Sequence, residues 1–264
     1  MSEILSTPNP EPSLYGDEPK ASLPPAKPQG VWDQLMGVFT EPSDVFRRLR
    51  VAPSWVGAFL LALGIGLFAT IVWAAKVDQE AMTQRKFEVI ERVFRTEIPA
   101  ASVDQAMEKV ATQGKPFISS SLGVVIGVPF VLVVMSGILF AFSRFGGEDE
   151  EVTFAHAWAA ITVHGLTMVP ITLLAGIMCL IRNVGGASSF ASMAPTNLGF
   201  WIQPDNPWLS GVLGLFDPFY FFSFIALYLA ARHTMRLKTW ATALFLGIMG
   251  FFGFVFHFMG GIFR

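Results

Sequence analysis

Long apolar runs separated by short polar stretches make up most of the chain from Trp55 onward. An apolar run of about twenty residues can cross a hydrocarbon core of ~30 Å as an α-helix. Such runs lie at about 55–75, 117–142, 154–181, 218–236 and 239–263. The pattern therefore predicts an all-α, polytopic membrane protein with five transmembrane helices, the second of them bent near Pro129 and the third containing Pro170.

The fourth run is the least regular of the five. Asp217 and Pro218 are typical of an N-cap and a first helical position, so we expect a helix to begin there. Residues 209–216 are then either a separate interfacial segment or the start of one longer helix.

Two short amphipathic segments precede the first run. Apolar residues repeat at helical spacing from Val31 to Phe39, and a second helix is expected to begin at Pro42, with Thr40 as its cap. On this second helix Val45, Phe46 and Leu49 share one face. The pattern predicts helices that precede the first span and lie flat in the membrane interface.

The aromatic and basic residues of this region are expected to meet lipid. We expect the Phe46 ring in the acyl boundary and the arginines among anionic head groups, each contributing about 1 kcal/mol. Tryptophan prefers the membrane–water interface. The predicted interface residues are Trp32, Phe46, Arg47, Arg48, Arg50 and Trp55.

Residues 76–115 are polar, with balanced basic and acidic residues and a helical apolar stripe around Phe87. They predict a helical hairpin outside the bilayer, whose first helix continues the first spanning helix. Ser102 and Gln105 form a capping-box pattern that starts its second helix.

Composition narrows the function classes. Only 14% of residues are charged, whereas a soluble domain carries about 25%. The net charge of -2 gives no reason to expect a nucleic-acid partner. The single cysteine, Cys179, excludes an internal disulfide framework and a cysteine metal cluster. Residues 1–30 are proline-rich and lack the apolar core of a signal peptide, so we expect a disordered cytoplasmic tail.

Basic residues near span ends predict the orientation. An N-terminus in the cytoplasm places seven of them inside: Arg47, Arg48, Arg50, Arg144, Arg232, Arg236 and Lys238. The short outer connections then carry only Arg182 and Arg264. The positive-inside rule therefore favours a cytoplasmic N-terminus and a C-terminus outside.

Polar residues inside the spans are the candidates for chemistry. His156, His164 and His257 lie at different expected depths, so one metal ion cannot use all three. His257 and Asp217 are both expected near the outer face. They form either a proton-sensitive pair or two separate structural contacts, with Asp217 capping its own helix.

His164, with Thr162 and Thr167, either lines a polar path or ties helices together. The acidic run 148–151 either docks a basic partner or is a solvated turn. The chain contains no serine elbow, zinc-binding helix or phosphate loop, so we expect no enzyme activity and no cofactor.

Several short motifs, in this order, resemble the Ypt-interacting protein (Yip) domain family, and its bacterial members most. The motifs are Glu41-Pro42-Ser43, Phe46, Arg47-Arg48-Leu49, Pro53-x-Trp55, Gly146-Gly147-Glu148, Pro170 and Phe216-Asp217-Pro218-Phe219. The resemblance covers residues 31–264. It implies a five-helix membrane bundle with a cytoplasmic N-terminus, here in a bacterial inner membrane.

Eukaryotic relatives bind small GTPases and act in vesicle traffic, but their Asp-Leu-Trp-Gly-Pro-type motif has no counterpart in this sequence. GTPase binding is therefore not expected. The sequence favours a non-enzymatic protein that scaffolds or organises membrane proteins, or associates with itself. The alternative is a transport component, either a small permease or an accessory subunit.

Overall fold

The computed structural model describes residues 28–187, 190–203 and 205–262. Its α-helices follow one another as α1 Val31–Thr40, α2 Pro42–Val51, α3 Val56–Lys76, α4 Gln79–Phe94, α5 Ala100–Gln113, α6 Phe117–Gly146, α7 Phe154–Gly165, α8 Val169–Ile181, α9 Leu198–Ile202, α10 Pro207–Gly214, α11 Pro218–Leu229 and α12 Thr239–Ile262. Within the described residues β pairing is limited to one bridge, between Gly147 and Leu237. The predicted all-α fold is confirmed. Most of the predicted N-terminal tail, residues 1–27, lies outside the described residues.

Four segments are long and apolar enough to cross a membrane: Val56–Lys76, Phe117–Gly146, Phe154–Ile181 and Thr239–Gly260. A fifth candidate is the pair Pro207–Gly214 and Pro218–Thr234, whose two parts are bent by 47°. The described part of the chain thus has four spans, or five if the bent pair counts as one. Of residues 209–216, whose place the sequence left open, 209–214 belong to a separate helix, α10, and the last two lie in the bend before α11.

The third span changes its helical geometry in the middle. Helix α7 ends at Gly165, a 3₁₀ turn follows at Leu166–Met168, and Pro170 lies in the first turn of α8. Proline is tolerated there because the first turn of a helix does not use its N–H groups. The break therefore falls just before Pro170.

The polar stretch after α3 forms two helices, with bounds that differ from those predicted. Helix α3 ends at Lys76, and Asp78 caps α4 by accepting the Ala81 N–H at 3.0 Å. The prediction that α3 continues into α4 is therefore wrong. Helix α5 begins at Ala100, two residues before the predicted capping box.

Small residues let the spans pack closely. Ala157, Ala159 and Ala160 are fully buried on α7, at the centre of a core shared with α1, α2, α6, α11 and α12. A second cluster joins α3 to α8 around Trp73 and Cys179. The Trp73 indole N–H donates to the Ala187 carbonyl at 3.1 Å, which fixes the loop after α8.

Helix α8 approaches α3 closely at Gly176. A Cβ atom at this position would lie 2.8 Å from the Phe68 ring and 3.2 Å from the Ala69 Cα. The ring can rotate, but the backbone of α3 cannot move without separating the helices. Glycine is therefore required by the packing.

We expect Gly176→Val to destabilise the detergent-solubilised protein by about 1–3 kcal/mol, the usual effect of overpacking. The measurement is thermal unfolding of the purified protein. Gly137→Val on α6 is the matched control, since a Cβ there meets nothing within 4 Å. Equal melting temperatures for the two variants would contradict the tight α3–α8 contact.

Candidate functional site at the N-terminal helical hairpin

Helices α1 and α2 form a closely packed hairpin. Glu41 ends α1 by donating its N–H to the Gly37 carbonyl at 2.8 Å, and Pro42 occupies the first turn of α2. A Cβ at Gly37 would lie 2.5 Å from a Val45 methyl group, so glycine permits the close approach of the two helices. The expected cap Thr40 instead ends α1, and its hydroxyl donates to the Met36 carbonyl.

The apolar face of the hairpin packs against protein. Val38, Phe46 and Leu49 are fully buried and belong to the main core. The structure therefore differs from the expectation that the Phe46 ring lies in the acyl boundary of the lipid. Trp55 is half-buried, with its ring edge-on to Trp158 at 5.6 Å.

The tip of the hairpin reaches the broken middle of the third span. Helix α1 contacts the 3₁₀ turn Leu166–Met168, and the Phe39 ring stacks on Phe222 of α11 at 5.3 Å. Leu166 follows Phe154 by twelve residues, or about 18 Å along a helix. The hairpin thus packs its apolar face against the bundle, where the expectation was that lipid covers this face.

Hydrogen bonds fix the hairpin at three places. The buried Gln34 amide donates to the carbonyl and the hydroxyl oxygen of Ser54, each at 2.8 Å. The Thr234 hydroxyl donates to the Phe46 carbonyl at 2.7 Å. The His156 Nε2 atom lies 3.0 Å from the Arg50 carbonyl.

The proton of His156 can be assigned from its partners. Its Nδ1 atom accepts the Thr153 N–H at 3.1 Å. Because Nδ1 is an acceptor, the neutral ring carries its proton on Nε2 and donates it to the Arg50 carbonyl. His156 therefore joins the start of α7 to the end of α2.

The acidic loop 148–151 also attaches to the hairpin. Asp149 forms an ion pair with Arg50, and Glu148 pairs with Arg236 at 3.6 Å. The Glu148 N–H donates to the Arg236 carbonyl at 2.9 Å. Two of the four acids thus pair with basic residues of the same chain, so the loop is more than a solvated turn.

The remaining arginines of α2 point outward. Arg48 is exposed, and the side chain of Arg47 is 60% exposed with a long contact of 3.8 Å to Asp44. On α1, Trp32 and Met36 are 66% and 62% exposed, and they lie four residues apart on one face. The outer surface of the hairpin therefore combines cationic and apolar side chains.

Asp217 and His257 contact different partners. Asp217 caps α11 through the Phe219 N–H at 2.8 Å and accepts the Thr196 hydroxyl. The His257 Nδ1 atom lies 3.1 Å from the Gly253 carbonyl, and its ring is 4.0 Å from Tyr220. The contacts match the alternative of two separate structural roles.

His164 has a backbone hydrogen-bond partner at Ser223 of α11, but this partner satisfies only one side of the ring. Its Nε2 atom is buried without a hydrogen bond, as is the Thr162 hydroxyl, while the Thr167 hydroxyl donates to the His164 carbonyl at 2.8 Å. Among the described residues no group of three or more His, Cys, Asp or Glu side chains could hold a metal ion.

Sequence reasoning missed three of the residues that fix the hairpin. In the sequence, Gln34 is simply a polar residue between apolar ones. Nothing in the pattern around Ser54 or Thr234 predicts a contact with the hairpin. A buried glutamine on an otherwise apolar stripe is a signal for a specific partner, because an unpaired amide is costly to bury. The sequence does not say which partner.

Asp149 gives the hairpin a pH-dependent attachment. The Glu151 N–H bonded to its carboxylate, together with the nearby Arg50, lowers the pKa of Asp149 below its ordinary value of 3.8. A lowered folded-state pKa stabilises the fold at neutral pH, and this contribution is lost as the pH falls through that pKa.

We expect Asp149→Asn to destabilise the protein by up to about 1 kcal/mol at pH 7, since the pair is near the surface. The difference from wild type should shrink as the pH falls from the ordinary carboxyl pKa through the lowered pKa of Asp149, where the folded wild type becomes protonated. Thermal unfolding in detergent from pH 7 to pH 3 measures this. Glu150→Gln is the control, and a pH-independent difference would contradict the assignment.

A comparison with known families completes the description. The model of the Yip1 domain matches residues 36–260, which include α2 to α11 and nearly all of α12. No curated protein and no solved structure matches this chain. Because the match covers most of its length, the chain belongs to the Yip1 domain family.

Proposed function

We propose that this membrane protein is a non-enzymatic organiser of other membrane proteins, which it contacts through the outer surface of the α1–α2 hairpin. The observation that carries the proposal is the exposed Trp32–Met36 pair on a hairpin that is itself fixed in the core. Exposed aromatic and methionine side chains next to arginines are typical of the centres of protein interfaces. A rigid hairpin loses little conformational entropy when a partner binds.

The proposed orientation puts this surface in the cytoplasm, with the C-terminus outside, and the proposed location is a bacterial inner membrane. It is supported by the contacts that join Arg50 and Arg236 to one acidic loop, because these contacts gather the basic residues at one end of the bundle. The positive-inside rule assigns that end to the cytoplasm. The bilayer is the second partner, through Arg47 and Arg48.

A transport role is the second candidate, and a specific observation favours it. Polar atoms of Thr70, Ser136, Thr162 and His164 are buried without partners in the described bundle. Unpaired polar atoms are costly in an apolar interior and often mark a path or an unseen water molecule. Mass spectrometry after purification in mild detergent separates the two candidates, since a stoichiometric ATPase or channel subunit would favour transport.

Site-specific photo-crosslinking tests the partner surface. A photo-crosslinking residue replaces Trp32 in the full-length chain, and we expect discrete protein adducts in intact membranes, including one of twice the mass if the partner is a second copy. Met36→Glu should abolish them, because it places a charge in the apolar contact.

Trp201 is the matched position, since it is equally exposed but lies in α9. Adducts of the same pattern at Trp201, or only lipid adducts at Trp32, would contradict the assignment of the hairpin as the partner surface.

Charge reversal tests the orientation. We expect Arg47→Glu with Arg48→Glu to invert or mix the topology, because these arginines flank the first span and neither is needed for the Asp149 pair. Single introduced cysteines on a Cys179→Ser background are labelled from each side of the membrane. Arg85→Glu with Lys86→Glu on α4 is the control pair. An unchanged labelling pattern in the Arg47/Arg48 variant would contradict the role of these arginines.

A further inference from the structure

Two cavities meet where helices α4 and α5 join the spans α3 and α6. A polar cleft of about 260 Å³ is lined by Asp78, Glu80, Gly114 and Lys115 among others. An apolar groove of about 480 Å³ is lined by Ile71, Phe117, Ile118, Ser121, Leu122 and Val125. Only Pro116 separates Lys115 of the cleft from Phe117 of the groove along the chain, so the cleft and the groove are neighbours at the start of α6.

The groove lies within two of the candidate spans. Ile71 belongs to α3, and the other lining residues belong to the first three turns of α6. Ile118 is 84% exposed, and Leu122 is exposed as well. In a bilayer the groove therefore opens toward the acyl chains of the lipid.

Lys115 lines the cleft at the polar end of the groove, whereas Lys76, at the end of α3, lines neither cavity. The Lys115 ammonium donates to the Ala75 carbonyl and the Lys76 ammonium to the Leu180 carbonyl, which are groups at the ends of α3 and α8. Both lysines are exposed. An ammonium carries three donors, so each keeps donors for a further acceptor such as a phosphate oxygen.

The cleft also carries negative charge. Glu80 is exposed at its edge, and Asp78 is occupied as the cap of α4. A head group with a net negative charge would meet these carboxylates as well as Lys115. A head group with both a phosphate and an ammonium matches both signs, because opposite charges at close range stabilise each other.

We propose that the cleft and the groove together bind one phospholipid of the phosphatidylethanolamine type. An acyl chain occupies the groove between α3 and α6. The phosphate lies at Lys115 and the ammonium at Glu80, both of which line the cleft. The lipid would hold the α4–α5 unit against the spans.

Native mass spectrometry of the full-length protein in detergent, titrated with phosphatidylethanolamine, phosphatidylglycerol or phosphatidylcholine, tests the proposal. We expect one saturable site with a preference for phosphatidylethanolamine. Ser121→Phe should weaken that site by filling the groove. Lys115→Gln should weaken it about fivefold, the effect of one basic residue near a phosphate. Glu80→Gln should remove the preference over phosphatidylglycerol.

Matched controls lie on the same helices or nearby. Ser119→Phe is on α6 outside the groove, and Lys109→Gln and Glu108→Gln are on α5 outside the cleft. Size-exclusion profiles and thermal unfolding show that each variant is folded, and Ser121→Phe leaves the lysine contacts to helix ends unchanged. Equal binding by Ser121→Phe and Ser119→Phe, non-saturable binding, or equal or stronger binding of phosphatidylglycerol by wild type would overturn the proposal.

Discussion

Burial of Phe46 and Leu49 between α7 and the turn after α11 holds the N-terminal hairpin inside the bundle. Two apolar helices gain little hydrophobic free energy by leaving lipid for each other. An amphipathic helix at the boundary with water has two ways to bury its apolar face, in lipid or in protein. The protein offers close packing and hydrogen-bond donors for the Phe46 and Arg50 carbonyls. These contacts favour burial of the apolar face in protein over burial in lipid.

This packing also determines which arginines of α2 are paired and which are exposed. Arg50 pairs with Asp149, while Arg47 and Arg48 remain exposed on α2. The acidic loop is tied on its other side to Arg236. The hairpin, the loop and the segment that follows the bent pair of helices therefore form one connected end of the bundle, which is the rigid surface proposed to meet a partner.

Two departures from α-helical geometry lie where the N-terminal hairpin contacts the bundle. The 3₁₀ turn at Leu166–Met168 meets α1, and a π-helical turn at Ala230–Thr234 meets α2. Departures from α-helical geometry leave backbone groups to be satisfied elsewhere, and side chains such as Thr167 and Thr234 take part in these regions. Elsewhere, Lys115 and Lys76 donate to carbonyls near the ends of α3 and α8, and Lys115 lines the proposed lipid site.

The sequence by itself determined the helical membrane architecture, because apolar runs such as Val56–Lys76 are long enough to span and carry no competing pattern. It also determined the Asp217-Pro218 start of α11, since cap and proline act locally. It could not show that α3 ends before Asp78. It also could not show that Phe46 faces protein, that Gln34 bonds Ser54, or that Arg50 pairs with Asp149. These contacts join residues 20 to 188 positions apart, and an amphipathic face looks the same whether lipid or protein covers it. Only the tertiary structure decides which surface is near enough to bury it.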